Sequence, residues 1–341
     1  LLLRSDLEEI FLKLFHKPLL SPKKYIISII RVYMFFLNIK KLFFFLITFF
    51  LFSSINKTSL NASEDFSPAG KMISVNSHNL HFFCEGSGDV TFIFEAGIGA
   101  NYRDWSKLQP LLKENYKVCS YDRTGYGWSD RGPKPRTVRV LADELAIAIK
   151  RLSVKKPIII VGHSFGGLIT MMFSSTHNEL ISGIVLLDSM HPEQNIKFKE
   201  NGIDIPVSPS RALIFSGIEV LTYGIPDEFK EETFFLAKSD KTRSFMYNEL
   251  RHMENSLKTV NKITDFKNPA LVLTHSRRDW DVHSINGRME DLWYELQKNL
   301  SERLNANLIM VPDAGHQMQL ENPKFIANEL VRFTKSINLN E

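Results

Sequence analysis

Two patterns of hydrophobic and polar residues alternate along the chain after residue 61. Short apolar runs bounded by turn residues predict strands, and they lie at 72–75, 80–85, 90–95, 117–121, 157–161, 184–187, 270–274 and 308–311. Apolar residues three and four positions apart predict helices, at 102–112, 138–152, 165–175, 288–304 and 323–336. The run 157–161 (PIIIV) has no polar face, which is typical of a central parallel strand. This alternation predicts the α/β fold class, with a mostly parallel eight-stranded sheet and helices on both faces.

Residues 190–267 interrupt this alternation. They contain helical patterns at 212–223, 227–237 and 241–260 but no convincing strand. We therefore interpret 190–267 as a helical cap inserted into the sheet domain, which would consist of residues 62–189 and 268–341.

Residues 1–61 have a different character. Residues 42–52 (LFFFLITFFLF) are uncharged, follow Lys40 and Lys41, and precede small polar residues. This layout is typical of a secretory signal peptide, and a helix of that length spans only about 16 Å of a hydrocarbon core of about 30 Å. We expect an exported protein, periplasmic or secreted; membrane attachment through 42–52 and a buried core helix stay open as alternatives. We also expect translation to start at Met34, with residues 1–33 as upstream sequence.

Composition and charge exclude several classes of protein. Hydrophobic residues make up 44% and charged residues 23%, the balance of a globular protein. Only 2 cysteines are present, so a disulfide-rich scaffold is excluded, and no metal-ligand spacing surrounds them. Residues 1–61 carry a charge of +6 against +4 for the whole chain, so the remainder is slightly acidic. A nucleic-acid partner is therefore not expected.

A serine between two glycines follows the apolar run 157–161. Residues 162–166 read Gly-His-Ser-Phe-Gly, a G-x-S-x-G pattern between a predicted strand and a predicted helix. In that context the backbone must reverse sharply at Ser164, and the flanking glycines avoid side-chain collisions. The pattern presents the Ser164 hydroxyl at the carboxyl edge of the sheet, where we expect a nucleophile.

Four segments, in this order, resemble those of the α/β-hydrolases. They are FEAGIGANYRDW (94–105), YDRTGYGWSD (121–130), GHSFGG (162–167) and PDAGHQMQLENP (312–323). The resemblance covers about residues 70–338. It is to the capped group that includes small-molecule esterases, carbon–carbon bond hydrolases and prolyl aminopeptidases.

The resemblance implies a catalytic triad. A serine nucleophile needs a general base, and the base needs an acid that holds its tautomer. The family places the base at His316, after the last predicted strand, and the acid at Asp279, after the strand 270–274. The loop HSRRDWD departs from the family's commoner Gly-x-x-Asp form, so Asp188, at the end of GIVLLDS, and Asp281 stay open as alternative acids.

The resemblance also implies an oxyanion hole made of two backbone N–H groups. One belongs to Phe165, directly after the nucleophile, and the other to Ile98, after Gly97. Asp122, Arg123 and Asp130 are expected to organise loops and not to touch substrate.

Further side chains bear on the substrate. His191 and His275 lie at predicted strand ends near the site and are candidates for substrate contact. The cap is rich in aromatic residues, part of which we expect to line a pocket for a small, apolar substrate. Cys84 and Cys119 fall on strands that this fold sets side by side; we expect two buried thiols there, with a disulfide as the alternative.

These expectations predict a serine hydrolase that cleaves an ester or related acyl bond through an acyl-enzyme. The same residues would serve a carbon–carbon bond hydrolase or an aminopeptidase, and a non-catalytic binding module on this scaffold stays open. Epoxide hydrolases and dehalogenases are disfavoured because those relatives carry Asp at the position of Ser164. The scheme needs no metal and no organic cofactor, and its only predicted partner is a small-molecule substrate.

Overall fold

The computed structural model describes residues 66–154, 156–203, 222–278 and 284–337. Contacts divide the chain into Leu1–Phe66 and Ser67–Glu341, and the second unit contains an eight-stranded sheet. The strands are β1 (Lys71–Val75), β2 (His78–Glu85), β3 (Thr91–Glu95), β4 (Lys117–Tyr121), β5 (Ile158–His163), β6 (Gly183–Leu187), β7 (Ala270–His275) and β8 (Asn307–Val311). Their order across the sheet is β1-β2-β4-β3-β5-β6-β7-β8. Strand β2 pairs antiparallel with β1 and β4, and the other pairs are parallel, so the predicted sheet is confirmed.

Helices follow the strands and fill the connections. They are α1 (Gln109–Leu112), α2 (Val138–Leu152), α3 (Phe165–Thr176), α4 (Gln194–Glu200), α5 (Asp227–Lys238), α6 (Asp240–Arg251), α7 (Met253–Asn261), α8 (Ile285–Arg303), α9 (Met318–Glu321) and α10 (Pro323–Ser336). Two 3₁₀ turns, Tyr102–Trp105 and Asn178–Leu180, lie between them.

The central strand β5 carries apolar side chains on both faces of the sheet. Ile158 and Ile160 pack into the core formed with α2 and α3. Ile159 and Val161 point to the opposite face and pack into the core that includes α1 and α10. Burial of each such side chain stabilises the fold by about 1.5–3 kcal/mol. The absence of a polar face in this run is thus explained by helices on both sides.

Two segments that were each predicted as one helix consist of two shorter elements in the structure. The helix expected at 102–112 is the 3₁₀ turn Tyr102–Trp105 followed by α1, because Pro110 has no N–H and its ring clashes with the preceding turn of a continuous helix. The helix expected at 241–260 is divided into α6 and α7 at His252, whose backbone (φ −101°, ψ 7°) lies in the bridge region.

The predicted cap contains only helices among its described residues. Helices α4, α5, α6 and α7 lie within 190–203 and 222–267, and no strand is present in these two ranges. The helix expected at 212–223 falls largely on 204–221, outside the described residues. The boundaries of the cap stay a prediction.

The expectations for residues 1–61 also lie outside the described residues. They concern the signal peptide, the anchor through 42–52 and the start at Met34, and all stay predictions. None of the helices in the described part is long and apolar enough to cross a bilayer.

Cys84 and Cys119 form a disulfide. They are directly opposite residues of the antiparallel pair β2–β4, with Cα atoms 4.1 Å apart. Opposite residues of an antiparallel pair project from the same face at short distance, so their sulfur atoms can bond. The expectation of two free buried thiols was therefore wrong.

Candidate active site

Ser164 occupies a sharp turn between strand β5 and helix α3. Its φ of 52° lies in the left-handed region, which costs about 1–3 kcal/mol for a residue with a side chain. The two glycines of the motif make the turn possible. A Cβ on Gly162 would come within 2.3 Å of Thr170 Oγ1, and one on Gly166 within 2.3 Å of the Glu95 carbonyl oxygen.

Backbone hydrogen bonds hold this turn against the end of strand β6. Ser164 N donates to Leu187 O at 3.1 Å, and Met190 N donates to Ser164 O at 3.0 Å. The turn is therefore fixed on both sides of the serine. Ser164 is half-buried and lines a cavity of about 460 Å³.

His316 lines the same cavity and follows strand β8 in the chain. Its Nδ1 donates to Asp188 Oδ2 at 2.5 Å, since a carboxylate only accepts. The Trp293 ring meets the His316 ring edge to face at 5.8 Å, and His163 Nε2 donates to the His316 carbonyl at 2.8 Å. The side chain is 44% exposed, so a substrate in the cavity can reach it.

Asp188 is a fully buried carboxylate directly after strand β6, with a left-handed backbone (φ 44°). Its oxygens accept hydrogen bonds from four side chains: Thr274 Oγ1 at 2.9 Å, His275 Nδ1 at 2.9 Å, Trp293 Nε1 at 2.9 Å and His316 Nδ1 at 2.5 Å. Burial by itself would raise the pKa of Asp188, but the hydrogen bonds and charges of His275 and His316 outweigh it and hold that pKa well below its ordinary value. Asp188 is thus an ionised carboxylate near neutral pH.

The described contacts favour Asp188, not Asp279, as the partner of His316. Asp279 and Asp281 lie outside the described residues, so the preference for Asp279 stays an untested prediction. Strand register explains the position of Asp188. Leu187 of β6 is paired with Leu273 of β7, so the next residues along both strands, which include His275, meet at one edge of the sheet.

Two residues of this cluster were not expected from the sequence. Thr274 and Trp293 each donate to Asp188, and no motif marks either of them. The sequence did place His275 near the site, but as a possible substrate contact and not as a second imidazole on the acid. His191 is instead bound to Asn299 Oδ1 at 3.0 Å, and burial lowers its pKa to about 4.

His163, next to the nucleophile in the chain, packs against His316. It is buried, its ring lies 4.7 Å from the His316 ring, and burial lowers its pKa to about 3. A neutral His163 adds no charge next to His316.

The segment expected to supply one oxyanion donor lies against the nucleophile. A Cβ placed on Gly97 would be 3.4 Å from the Ser164 Cβ and 3.2 Å from His163 Nδ1. The adjoining peptide carries the Ile98 N–H. Phe165 N, the other expected donor, stands at the N-terminus of α3, where backbone N–H groups have no partner within the helix.

The remaining wall of the cavity is mainly apolar. Met190, Phe198, Met289 and Trp293 contribute apolar surface to it. Gln194, Asn286 and Glu290 add polar groups to it. Within the described residues, no group of three or more His, Cys, Asp or Glu side chains is arranged to hold a metal ion.

Comparison with known proteins agrees with this architecture. A family model described as alpha/beta hydrolase fold matches residues 90–206. An esterase from Thermogutta terrifontis has a similar structure, with a TM-score of 0.57 and 18% identity over 78% of this chain and 98% of that one. The chain has the α/β-hydrolase fold. A serine hydrolase involved in carbazole degradation is a second structural neighbour, with a TM-score of 0.57 and 18% identity over 79% of this chain and all of that one.

Curated relatives of this chain match over shorter stretches. YqjL of Bacillus subtilis, an uncharacterized protein, is 36% identical over 104 residues, which are 30% of this chain and 41% of YqjL. YbdG of the same organism, also uncharacterized, is 27% identical over 40% of this chain and 42% of its own length. The chain thus spans less than half the length of these relatives.

Proposed function

We propose that this chain is a serine hydrolase that cleaves an ester or related acyl bond of a small, apolar substrate. The observation that carries the proposal is one cavity lined by Ser164, at a strained strand–helix turn, and by His316, whose ring is bonded to the buried carboxylate of Asp188. These are the three side-chain types of a nucleophile, a base and an acid.

In the proposed reaction His316 accepts the Ser164 proton while the Ser164 oxygen attacks the acyl carbon. The negative charge that develops on the carbonyl oxygen is held by the N–H groups of Ile98 and Phe165. His316 then donates the proton to the leaving group, and the acyl-enzyme is hydrolysed by water activated through His316. Asp188 holds the His316 tautomer and stabilises the imidazolium, because it stays ionised.

The cavity supports an apolar substrate. Its volume of about 460 Å³ and its Met190, Phe198, Met289 and Trp293 wall suit a short acyl chain or an aromatic group. The serine nucleophile disfavours epoxide hydrolysis. A carbon–carbon bond hydrolase would use the same residues, but no contact in the described part of the chain favours it over ester cleavage.

A fluorophosphonate probe tests the nucleophile. We expect covalent labelling of the wild-type protein at Ser164, located by peptide mapping, and none in Ser164→Ala. A panel of nitrophenyl esters of rising chain length then tests the substrate class, and we expect activity to peak at short to medium acyl chains. A protein that neither labels nor hydrolyses any ester, while it stays folded, would be a binding module.

We also propose that the protein is exported. The Cys84–Cys119 disulfide supports an oxidising compartment, as does the signal-peptide pattern at 42–52. Fractionation of the native host and N-terminal sequencing test this. A mature chain that begins after residue 52 and lies outside the cytoplasm is expected, and a reduced cytoplasmic protein would contradict the proposal.

A further inference from the structure

The Arg123 side chain contacts the backbone of the segment that carries the Ile98 N–H. The side chain is 3% exposed. Nη1 donates to Glu95 Oε1 at 2.7 Å and to the Ala96 carbonyl at 2.6 Å. Nη2 donates to the Gly97 carbonyl at 2.8 Å and to Glu249 Oε2 at 3.4 Å, and Nε donates to Glu249 Oε1 at 3.2 Å. The five N–H groups of the guanidinium thus meet two carboxylates and two consecutive backbone carbonyls.

The bond to Gly97 O determines the direction of the Ile98 N–H. These two groups belong to one planar peptide, and in a trans peptide the C=O and the N–H point in opposite directions. The cis peptides of the described residues are Lys134–Pro135 and Lys156–Pro157, so the 97–98 peptide is trans. A guanidinium that holds the carbonyl on one side therefore fixes the N–H that projects from the other.

Glu249 connects this arrangement to helix α6 in the predicted cap. It is fully buried, and besides Arg123 it accepts a hydrogen bond from Tyr126 Oη at 2.6 Å. Glu95, also fully buried, holds the other end of the guanidinium from strand β3. Arg123 is thereby held between the sheet and α6 by two carboxylates, and its position depends on both.

We propose that Arg123 is a positioning residue that sets the Ile98 N–H for the oxyanion, and that Glu249 makes this setting depend on helix α6. This inference rests on the proposed function, because the oxyanion forms only if Ser164 adds to a carbonyl. Removal of Arg123 would leave the nucleophile, base and acid in place. It would loosen the Ile98 N–H, one of the two proposed oxyanion donors.

A second ion pair between the sheet domain and the predicted cap provides a matched control. Arg103 Nε donates to Glu232 Oε2 at 2.8 Å, and Glu232 lies on helix α5 and also accepts from Trp128 Nε1 at 2.9 Å. Glu232, like Glu249, is buried. None of the side-chain hydrogen bonds of this pair is made to the carbonyls of residues 96 and 97. Glu232→Gln therefore removes one carboxylate charge between the two parts without touching the oxyanion segment.

The test compares Arg123→Lys, Glu249→Gln and Glu232→Gln. The hydrolysis of an activated ester gives kcat and KM, and an alkyl trifluoromethyl ketone reports the oxyanion. The Ser164 oxygen adds to the ketone carbon, its proton passes to His316, and the negative charge falls on the former carbonyl oxygen. A loosened donor should weaken this adduct and slow the reaction by the same factor, since both place charge on that oxygen.

We expect kcat/KM and ketone affinity to fall together, by about 100-fold in Arg123→Lys and about 10-fold in Glu249→Gln, mainly in kcat. Glu232→Gln should leave both quantities within about threefold of wild type, and thermal melting should show all three variants folded. If Arg123→Lys fails to fold, Glu249→Gln decides the question against Glu232→Gln.

Two results would overturn the inference. One is unchanged ketone affinity in both Arg123→Lys and Glu249→Gln; the other is an equal loss in Glu232→Gln, which would indicate a general effect of cap contacts. Failure of the proposed function is a different result, because the wild-type protein itself would then not react with the fluorophosphonate probe or the ketone.

Discussion

Two buried aspartates near the candidate site, Asp188 and Asp104, have opposite electrostatic surroundings. Both side chains are at most 3% exposed. Asp188 accepts from four side chains, two of them imidazoles, and its pKa is held below the ordinary value. Asp104 accepts one amide hydrogen bond, from Gln319 Nε2 at 3.3 Å, and burial raises its pKa to about 7. Hydrogen-bond donors, and not depth of burial, therefore decide which of these two buried carboxylates stays ionised near neutral pH.

The largest expected effect is on catalysis. Asp188→Asn should lower kcat by about 10⁴-fold, because the amide no longer holds the productive His316 tautomer or stabilises the imidazolium. Steady-state kinetics with an activated ester measures this, and Asp104→Asn, the matched control, should stay within about threefold of wild type. If Asp279→Asn is inactive while Asp188→Asn is active, the acid is Asp279. The difference between Asp188 and Asp104 would then not bear on catalysis.

The second effect is on stability and belongs to Asp104. The folded state binds the Asp104 proton more tightly than the unfolded chain, so this group lowers stability progressively as pH rises from its ordinary pKa of 3.8 to about 7. Asp104→Asn should therefore raise the free energy of unfolding at pH 8 by up to about 4 kcal/mol and change it little near pH 4. Urea unfolding at both values checks this; an equal effect of the substitution at pH 4 and pH 8 would argue against a raised pKa.

The third effect is on stability and belongs to Asp188. Its substitution should lower the free energy of unfolding, because the pKa of Asp188 is lowered in the folded state. Its contribution to stability is complete above the unfolded pKa of about 3.9 and is lost as pH falls below that value. Asp188→Asn should destabilise the protein by about 2–3 kcal/mol at pH 7, and the difference from wild type should narrow below about pH 4. Urea unfolding at pH 7, 5 and 3.5 measures it. A stability difference between Asp188→Asn and wild type that grows as pH falls would contradict a lowered pKa of Asp188.

The smallest effect concerns His275, the second imidazole on Asp188. His275→Leu removes a donor from the carboxylate, and we expect kcat/KM to fall about 10-fold, or about 1.4 kcal/mol. His275→Asn keeps an amide donor near the position of Nδ1 and should lose no more than about threefold. Ester kinetics of the two variants tests whether the donors on Asp188 act individually; equal losses would indicate that the imidazole ring, and not its N–H, is what the site needs.

Most of the fold could be predicted because local pattern and strand pairing agree. Strand β4 and helices α2 and α10 begin and end at the predicted residues. The errors arose where one residue overrides the periodicity, as Pro110 does in the expected helix 102–112. The disulfide was misjudged because the spacing of Cys84 and Cys119 along the chain does not reveal that they are directly opposite each other across β2 and β4.

The sequence by itself determined the turn at Ser164, since the reversal depends on the residues of the turn and on glycines that admit close backbone approach. It also placed His316 after the last strand. Only the tertiary structure decided which groups surround Asp188 and what holds the Ile98 peptide. Asp188 meets partners from three distant segments because β6 and β7 are paired and α8 supplies Trp293. Arg123 meets a carboxylate 126 positions away. Spacing along a chain encodes local backbone geometry, whereas the donors around a buried charge are set by packing between elements far apart in sequence.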